Sequence, residues 1–201
     1  MYTASGPAAD AVTAATGAVV GALRPHTGLD WSVPAGPLTW SCHETAVHVA
    51  DDLFGYATQV LTEPVGRYAP YEIAVPAGTT PDGLLDVVAA GGAVLAAAVR
   101  TAPPSARGWH PYGTSDPGGF AAMGVVELLV HADDLARGLG VAWSPEPDAV
   151  RPVLARLWPG VDPGPDPAAT LLHHTGRAPL GGVPAPQRWR WWAEVPRHPN
   201  G

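Results

Sequence analysis

The stretch 125–140, VVELLVHADDLARGLG, decides how this chain folds. It reads as a helix that is apolar on nearly every side. Val125, Val126, Leu128, Leu129, Val130, Ala132, Leu135 and Ala136 leave no solvent face of ordinary width. A helix of that kind is buried among others. Yet Glu127, His131 and Asp134 recur at spacings of four and three, and at 100° per residue they fall within one narrow arc. Side chains four apart on a helix are neighbours, about 5–6 Å between Cβ atoms. A buried carboxylate is costly unless it is paired or bound to a metal. Glu-x-x-x-His on this helix therefore reads either as two ligands of one ion or as a plain Glu–His pair. Asp134 reads as a group orienting His131 or a ligand, or as a solvated acid beside Asp133.

Three further long helical patterns surround this one. The first covers roughly 6–24, with Val12, Val19 and Leu23 on one face, Ser5 as N-cap and Pro25 as terminator. The second covers roughly 42–62. Ser41 and Glu44 form a capping box at its start, and Pro64 stops it. The third covers roughly 81–101, with Thr80 as cap, Pro81 in the first turn and Leu84, Val88, Leu95 and Val99 as its stripe. Gly91 and Gly92 weaken its middle by about 1 kcal/mol each against Ala, a cost that close helix packing would offset. The fourth helix runs over roughly 117–138, capped by Asp116 and ended by Gly138 or Gly140. Two shorter helices are expected near 146–158 and 166–175, a short strand around Glu72–Val75, and an extended tail at 188–195. The fold class that follows is all-α: an antiparallel four-helix bundle (1–140) with a C-terminal extension (141–201), forming one domain.

Composition narrows the function. The chain has 201 residues, 46% of them hydrophobic and 14% charged, as in a globular protein. A formal net charge of −7 opposes nucleic acid as a partner. The basic residues are all Arg, and Ala, Gly, Pro and Val dominate, a bias typical of GC-rich bacterial genomes. The single cysteine, Cys42, excludes an internal disulfide or a Cys-rich zinc module and reads as a structural thiol. With no leader pattern, and with the apolar run at 87–99 too short to span a bilayer, a soluble cytoplasmic protein is expected, monomeric or homodimeric.

Helix two carries its own polar stripe: Glu44, His48, Asp52, Gly55 and Gln59. Periodicity leaves open whether it faces water or offers His48 as a third ligand. The long connection 102–116 carries Trp109, His110 and Tyr112, and connections of that length are often functional. His110 is a candidate substrate or catalytic residue, or a loop histidine in solvent. Trp109 and Tyr112 are candidates for a pocket wall, or pack the loop down. Arg177 offers a planar fork for an anionic substrate or a thiol-cofactor carboxylate, or forms a surface ion pair. His173 and His174 suit a helix end, and Trp189, Trp191 and Trp192 suit a packed tail.

The blocks LTWSCHETAVHVADDLFGYA (38–57) and TSDPGGFAAMGVVELLVHADDLARGLG (114–140) resemble the two signature blocks of the DinB-like superfamily. More narrowly, they are similar to the N-terminal, metal-binding domain of mycothiol-dependent maleylpyruvate isomerases. The family pattern of a Trp with a His eight residues later falls on Trp40 and His48. Its Glu-x-x-x-His followed by Asp falls on Glu127, His131 and Asp134. LLHHTGRAPL (171–180) resembles a Gly-Arg motif of short actinobacterial members. The resemblance implies a divalent ion, most often zinc, on His48, Glu127 and His131, with an open coordination position. It also implies mycothiol as the thiol, activated beside the ion.

Full-length maleylpyruvate isomerases carry a second domain, and the residues after 140 are too few for a comparable one. The expectation is therefore a metal-dependent, thiol-using transferase or isomerase acting on a small molecule, with His110, Asp52 or Asp134 moving protons. The alternatives are a non-catalytic ligand- or metal-binding bundle and a metal-independent isomerase or cyclase.

Overall fold

The computed structural model describes residues 5–195. They form six α-helices: α1 (Ser5–Leu23), α2 (Cys42–Thr62), α3 (Pro81–Thr101), α4 (Pro117–Leu139), α5 (Pro147–Leu157) and α6 (Pro167–His174). A short 3-10 turn, Arg24–His26, follows α1 and contains Pro25. Ser5 is itself the first helical residue of α1 rather than its cap.

The starts of the other long helices follow their caps. Ser41 and Glu44 close a capping box on α2, and the Thr80 and Asp116 side chains accept from the backbone N–H groups of Gly83 and Gly119. Gly140, at φ +68°, ends α4 and returns its N–H to the carbonyls of Ala136 and Arg137. Only glycine takes that backbone conformation cheaply.

The four long helices make a bundle in which α2 and α1 each pack on both α3 and α4. Every residue of α4 from Pro117 to Ala136 is buried. The glycines in α3 mark the closest approach. A Cβ at Gly92 would lie 2.2 Å from Thr16 Oγ1, and one at Gly91 would lie 3.1 Å from Leu53 Cβ. The loss of helix propensity at those two positions is thus exchanged for tight packing against α1 and α2.

By length and apolar composition the whole of α3 is capable of crossing a membrane, contrary to the expectation from the 87–99 run alone. In the bundle its apolar stripe lies against α1 and α2.

One local expectation fails. Among the described residues there is no strand, only isolated bridges, and Glu72–Val75 is irregular. Its Ile73 N–H donates to the Asp51 carboxylate at 2.7 Å instead of to a neighbouring strand. The tail at 188–195 forms neither helix nor strand. It is tied to α5 by the Trp192 N–H donating to the Leu157 carbonyl at 2.7 Å, and by Trp191 and Ala193 entering the core.

Candidate metal centre

α2 and α4 lie side by side, and their polar stripes face each other. His48, Glu127 and His131 each offer a ligand atom, and these atoms all lie within 4.8 Å of one another. The His48 and His131 rings meet edge-on, 5.1 Å between centroids. His48 does not turn to bulk water. Trp40 covers it at 4.8 Å, which gives the Trp–His spacing on α2 a physical meaning. Its side chain remains 32% exposed, so the cluster is open on the His48 side and closed on the α4 side.

The α4 groups are held firmly. His131 Nε2 sits 3.2 Å from Glu127 Oε2, and His131 Nδ1 donates to Asp134 Oδ2 at 2.9 Å. The other Glu127 oxygen accepts from the Tyr56 hydroxyl at 3.3 Å. Asp134 is fully buried, and the Arg177 guanidinium caps it through Nη2 at 2.9 Å and Nε at 3.3 Å. On α2, Asp52 Oδ2 lies 3.2 Å from His48 Nε2.

These contacts set the charges. Burial works to lower the His131 pKa, but the hydrogen bonds its ring donates to Asp134 and Glu127 override that and raise it to about 9. Burial works to raise the Glu127 pKa, and the contact with His131 reverses that, so Glu127 is ionised. Burial, reinforced by the Glu127 charge, holds Asp52 well above the usual carboxylate range. Burial also lowers His48. The metal-free cluster is thus a protonated imidazole clamped between two carboxylates, with a neutral imidazole beside it.

That donor set fits a divalent ion. Zinc–nitrogen distances of about 2.0–2.1 Å place tetrahedral ligand atoms roughly 3.3 Å apart. Glu127 and His131 already stand at 3.2 Å, so only His48, the most exposed of the three, has to close in. An ion held by these three residues alone would keep a coordination position for a further ligand.

Two cavities border that open side. One of about 240 Å³ is lined by Asp51, Asp52, Gly55, Tyr56, Tyr68, Ala69, Tyr71 and Glu72. The other, of about 300 Å³, touches Trp40, Glu44, Val47, His48, Asp51, Glu72 and Ile73. Asp51 and Glu72 stand between them. A third and larger groove, of about 630 Å³, lies elsewhere, between α1, α4 and residues 143–149.

His110 is buried rather than exposed on its loop, ringed by Tyr56, Tyr68, Tyr112 and Trp191 at 5.2–6.2 Å. Its Nδ1 accepts from the Tyr112 N–H at 3.0 Å, which leaves the ring proton on Nε2. Burial lowers its pKa to about 4. Trp109 meets Tyr68 edge-on at 5.5 Å, and its carbonyl accepts from the Gln59 side chain. Both residues pack against the tyrosines Tyr56 and Tyr68 that line the 240 Å³ cavity, and neither lines a cavity at the site itself.

Arg177 pairs with Asp134 through both prongs, so its fork is already occupied. Cys42 is buried, its thiol pushed up to about 11 by desolvation, in keeping with a structural role. His173 and His174 end α6, and His173 Nδ1 pairs with the Ala178 carbonyl at 3.1 Å.

Sequence reasoning missed Tyr56, Tyr68 and Asp51. The signal for Tyr56 was present: it follows His48 and Asp52 at the same four-residue step. Tyr68 and Asp51 take their roles from the irregular 63–79 segment, whose path has no periodic signature.

No curated protein and no solved structure matches the chain. Residues 9–136 match the family described as mycothiol maleylpyruvate isomerase N-terminal domain. That span begins in α1 and ends in α4, and it contains all three candidate ligands and Asp134. The chain belongs to the mycothiol maleylpyruvate isomerase N-terminal domain family.

Proposed function

We propose that this protein is a metal-dependent enzyme that activates a low-molecular-weight thiol, mycothiol in keeping with its family, for reaction with a small electrophile. One observation carries the proposal. Two imidazoles and one carboxylate from two helices converge within 4.8 Å, with their open side toward cavities that admit a small molecule. His48, Glu127 and His131 would hold the ion, and the donor set suits zinc. Bound there, a divalent ion supplies Lewis acidity that lowers the pKa of a thiol or water next to it.

The surrounding side chains have separable tasks. Tyr56 holds Glu127 from one side, and Asp134 holds the His131 ring from the other. Asp52, beside His48 and facing the 240 Å³ cavity, is placed to take up the thiol proton. His110 stays neutral at pH 7, so it serves as a hydrogen-bond donor through Nε2 and not as a cationic acid. Tyr56 and Tyr68 line that end of the cavity, with Trp109 packed edge-on against Tyr68, and limit the access of water there.

Charge selects the electrophile. Glu44, Asp51, Asp52 and Glu72 line the two cavities, and no arginine lines either. Arg177, the arginine that touches the centre, is spent on Asp134. A dicarboxylate such as maleylpyruvate would meet repulsion at that mouth. An uncharged or cationic electrophile is the better fit.

Asp52 favours a second reading. At 3.2 Å from His48 it is close enough to become a fourth ligand, which would close the ion and make the protein a non-catalytic metal-binding bundle. Elemental analysis of wild type, His48→Ala and Glu127→Ala, followed by thiol-conjugation assays over neutral and anionic electrophiles, tests both. We expect about one equivalent of metal in wild type and little in either variant, with turnover of neutral electrophiles. Equal metal content in all three proteins would remove the enzyme reading. Full occupancy without conjugation would favour the second.

A further inference from the structure

We propose that Arg177, from the C-terminal extension beyond the family-matching residues 9–136, is a positioning residue for the metal centre. It fixes Asp134, and Asp134 fixes the ring of His131. The proposal rests on the metal-binding reading above.

The chain of contacts is continuous and buried. Asp134 Oδ2 accepts from both His131 Nδ1 and Arg177 Nη2 at 2.9 Å, and Oδ1 accepts from Arg177 Nε at 3.3 Å. The carboxylate is fully buried, so without the guanidinium it would keep one short partner, the His131 ring, and lose both contacts that fix its plane. A two-pronged Arg–carboxylate pair also fixes the plane of the carboxylate, which a lysine cannot do. With that plane fixed, His131 must present its N–H from Nδ1 to Asp134. Nε2 is then directed at Glu127 and the space where the ion would sit. Such partners of ligating histidines typically contribute about 10–100-fold in metal affinity.

The extension is built to hold this arginine. Arg177 Nη1 donates to the Thr175 carbonyl at 2.8 Å, and its guanidinium lies 5.7 Å from the Trp189 ring centroid. Thr175 is fully buried and hydrogen-bonded to the Leu171 carbonyl at 2.8 Å. Gly176 lies between them at φ +76°. A Cβ there would stand 2.9 Å from Trp189 Cδ1 and 3.0 Å from the Pro186 carbonyl oxygen. Glycine is thus required for Trp189 to close over the arginine, which accounts for the Gly-Arg pair in physical terms. The tail Trp residues find their use here as well: Trp191 anchors the segment that carries Trp189.

The test compares Arg177→Gln, Arg177→Lys, Asp134→Asn and the Gln/Asn double variant, with exposed Arg100→Gln as control. Two readouts are taken: zinc affinity by competition with a chromophoric chelator, and the His131 Nδ1 proton by NMR of the metal-free protein. We expect Arg177→Gln to weaken zinc about 10–100-fold and to lose the exchange-protected ring proton. Arg177→Lys should recover part of both, and Arg100→Gln neither changes. The double variant should bind zinc no more weakly than Asp134→Asn alone, because both substitutions cut the same chain.

Wild-type zinc affinity in Arg177→Gln together with a lowered melting temperature would overturn the proposal, as would additive losses in the double variant. Should Arg177→Gln fail to fold, wild-type behaviour of Arg177→Lys in both readouts overturns it. Should wild type bind no zinc, the metal reading falls, and retention or loss of the ring proton still decides the role of Arg177.

Discussion

The two faces of α4 differ in what they bury. Toward α2 the helix presents Glu127, His131 and Asp134, each paired within 2.9–3.3 Å. Toward α1 it presents Val125 and Leu129 to a groove of about 630 Å³ lined largely by alanines of α1 and by Trp143. The apolar face is loosely filled and costs little, since its residues have no hydrogen bonds to lose. The polar face is tightly paired because every unpaired group there would carry a desolvation penalty. This groove, larger than either cavity beside His48, is therefore not where the chemistry is expected. Convergence of donors locates the candidate site, and size alone would have pointed to the other side of the helix.

Substitutions on the two faces should separate cleanly. The largest effect is expected from Glu127→Ala or His131→Ala, which remove a ligand. Zinc affinity should fall by at least about 100-fold, beyond the range typical of a histidine's hydrogen-bond partner, as measured by chelator competition. A loss under threefold would place the ion elsewhere. Stripping the metal comes next. At a free zinc concentration about 100 times Kd the bound ion adds about 2.7 kcal/mol, which calorimetry should register as a drop in Tm on chelation. An unchanged Tm would detach the ion from the fold.

The pH dependence sharpens the same contrast. His131 has its pKa raised to about 9 in the folded metal-free protein, against about 6.5 when unfolded. The folded state thus holds a proton that the unfolded chain has released. That stabilisation is complete below about pH 6.5 and is lost as pH rises through about 9, amounting to roughly 3 kcal/mol at most. Burial places His110 at about 4, so its contribution has the opposite sign and is lost as pH falls from about 6.5 to 4. Urea melts of the metal-free protein should show both slopes. A flat profile between pH 6.5 and 9 would mean the His131 clamp is not formed. The smallest effect belongs to the apolar face. Leu129→Met, a volume-conserving change at the groove, should alter stability by less than about 1.5 kcal/mol and leave zinc affinity untouched. A change in affinity would couple the two faces.

Much of the fold was legible because its signals are local. Ser41, Thr80 and Asp116 cap their helices as their sequence contexts suggest, Gly140 ends α4, and the all-round apolarity of α4 reports its burial. The i, i+4 and i+3 stripe on α4 was legible for the same reason. Periodicity did not place His48, since a polar stripe on α2 reads equally as a wet face; the resemblance named it, and the pairing of α2 with α4 brings it to Glu127 and His131. The Arg177–Asp134 contact joins residues 43 apart, and no periodicity encodes it. The irregular 63–79 segment misled because Ile73 in an extended stretch looks like a strand, whereas its N–H found the Asp51 side chain.

The central claim is that His48, Glu127 and His131 bind one ion together. X-ray absorption at the zinc edge of the loaded protein tests it most directly. The account predicts two imidazoles and light oxygen scatterers at about 2.0–2.1 Å, falling to one imidazole in His48→Ala. A wild-type spectrum with no imidazole signature, or one that His48→Ala leaves unchanged, would contradict it.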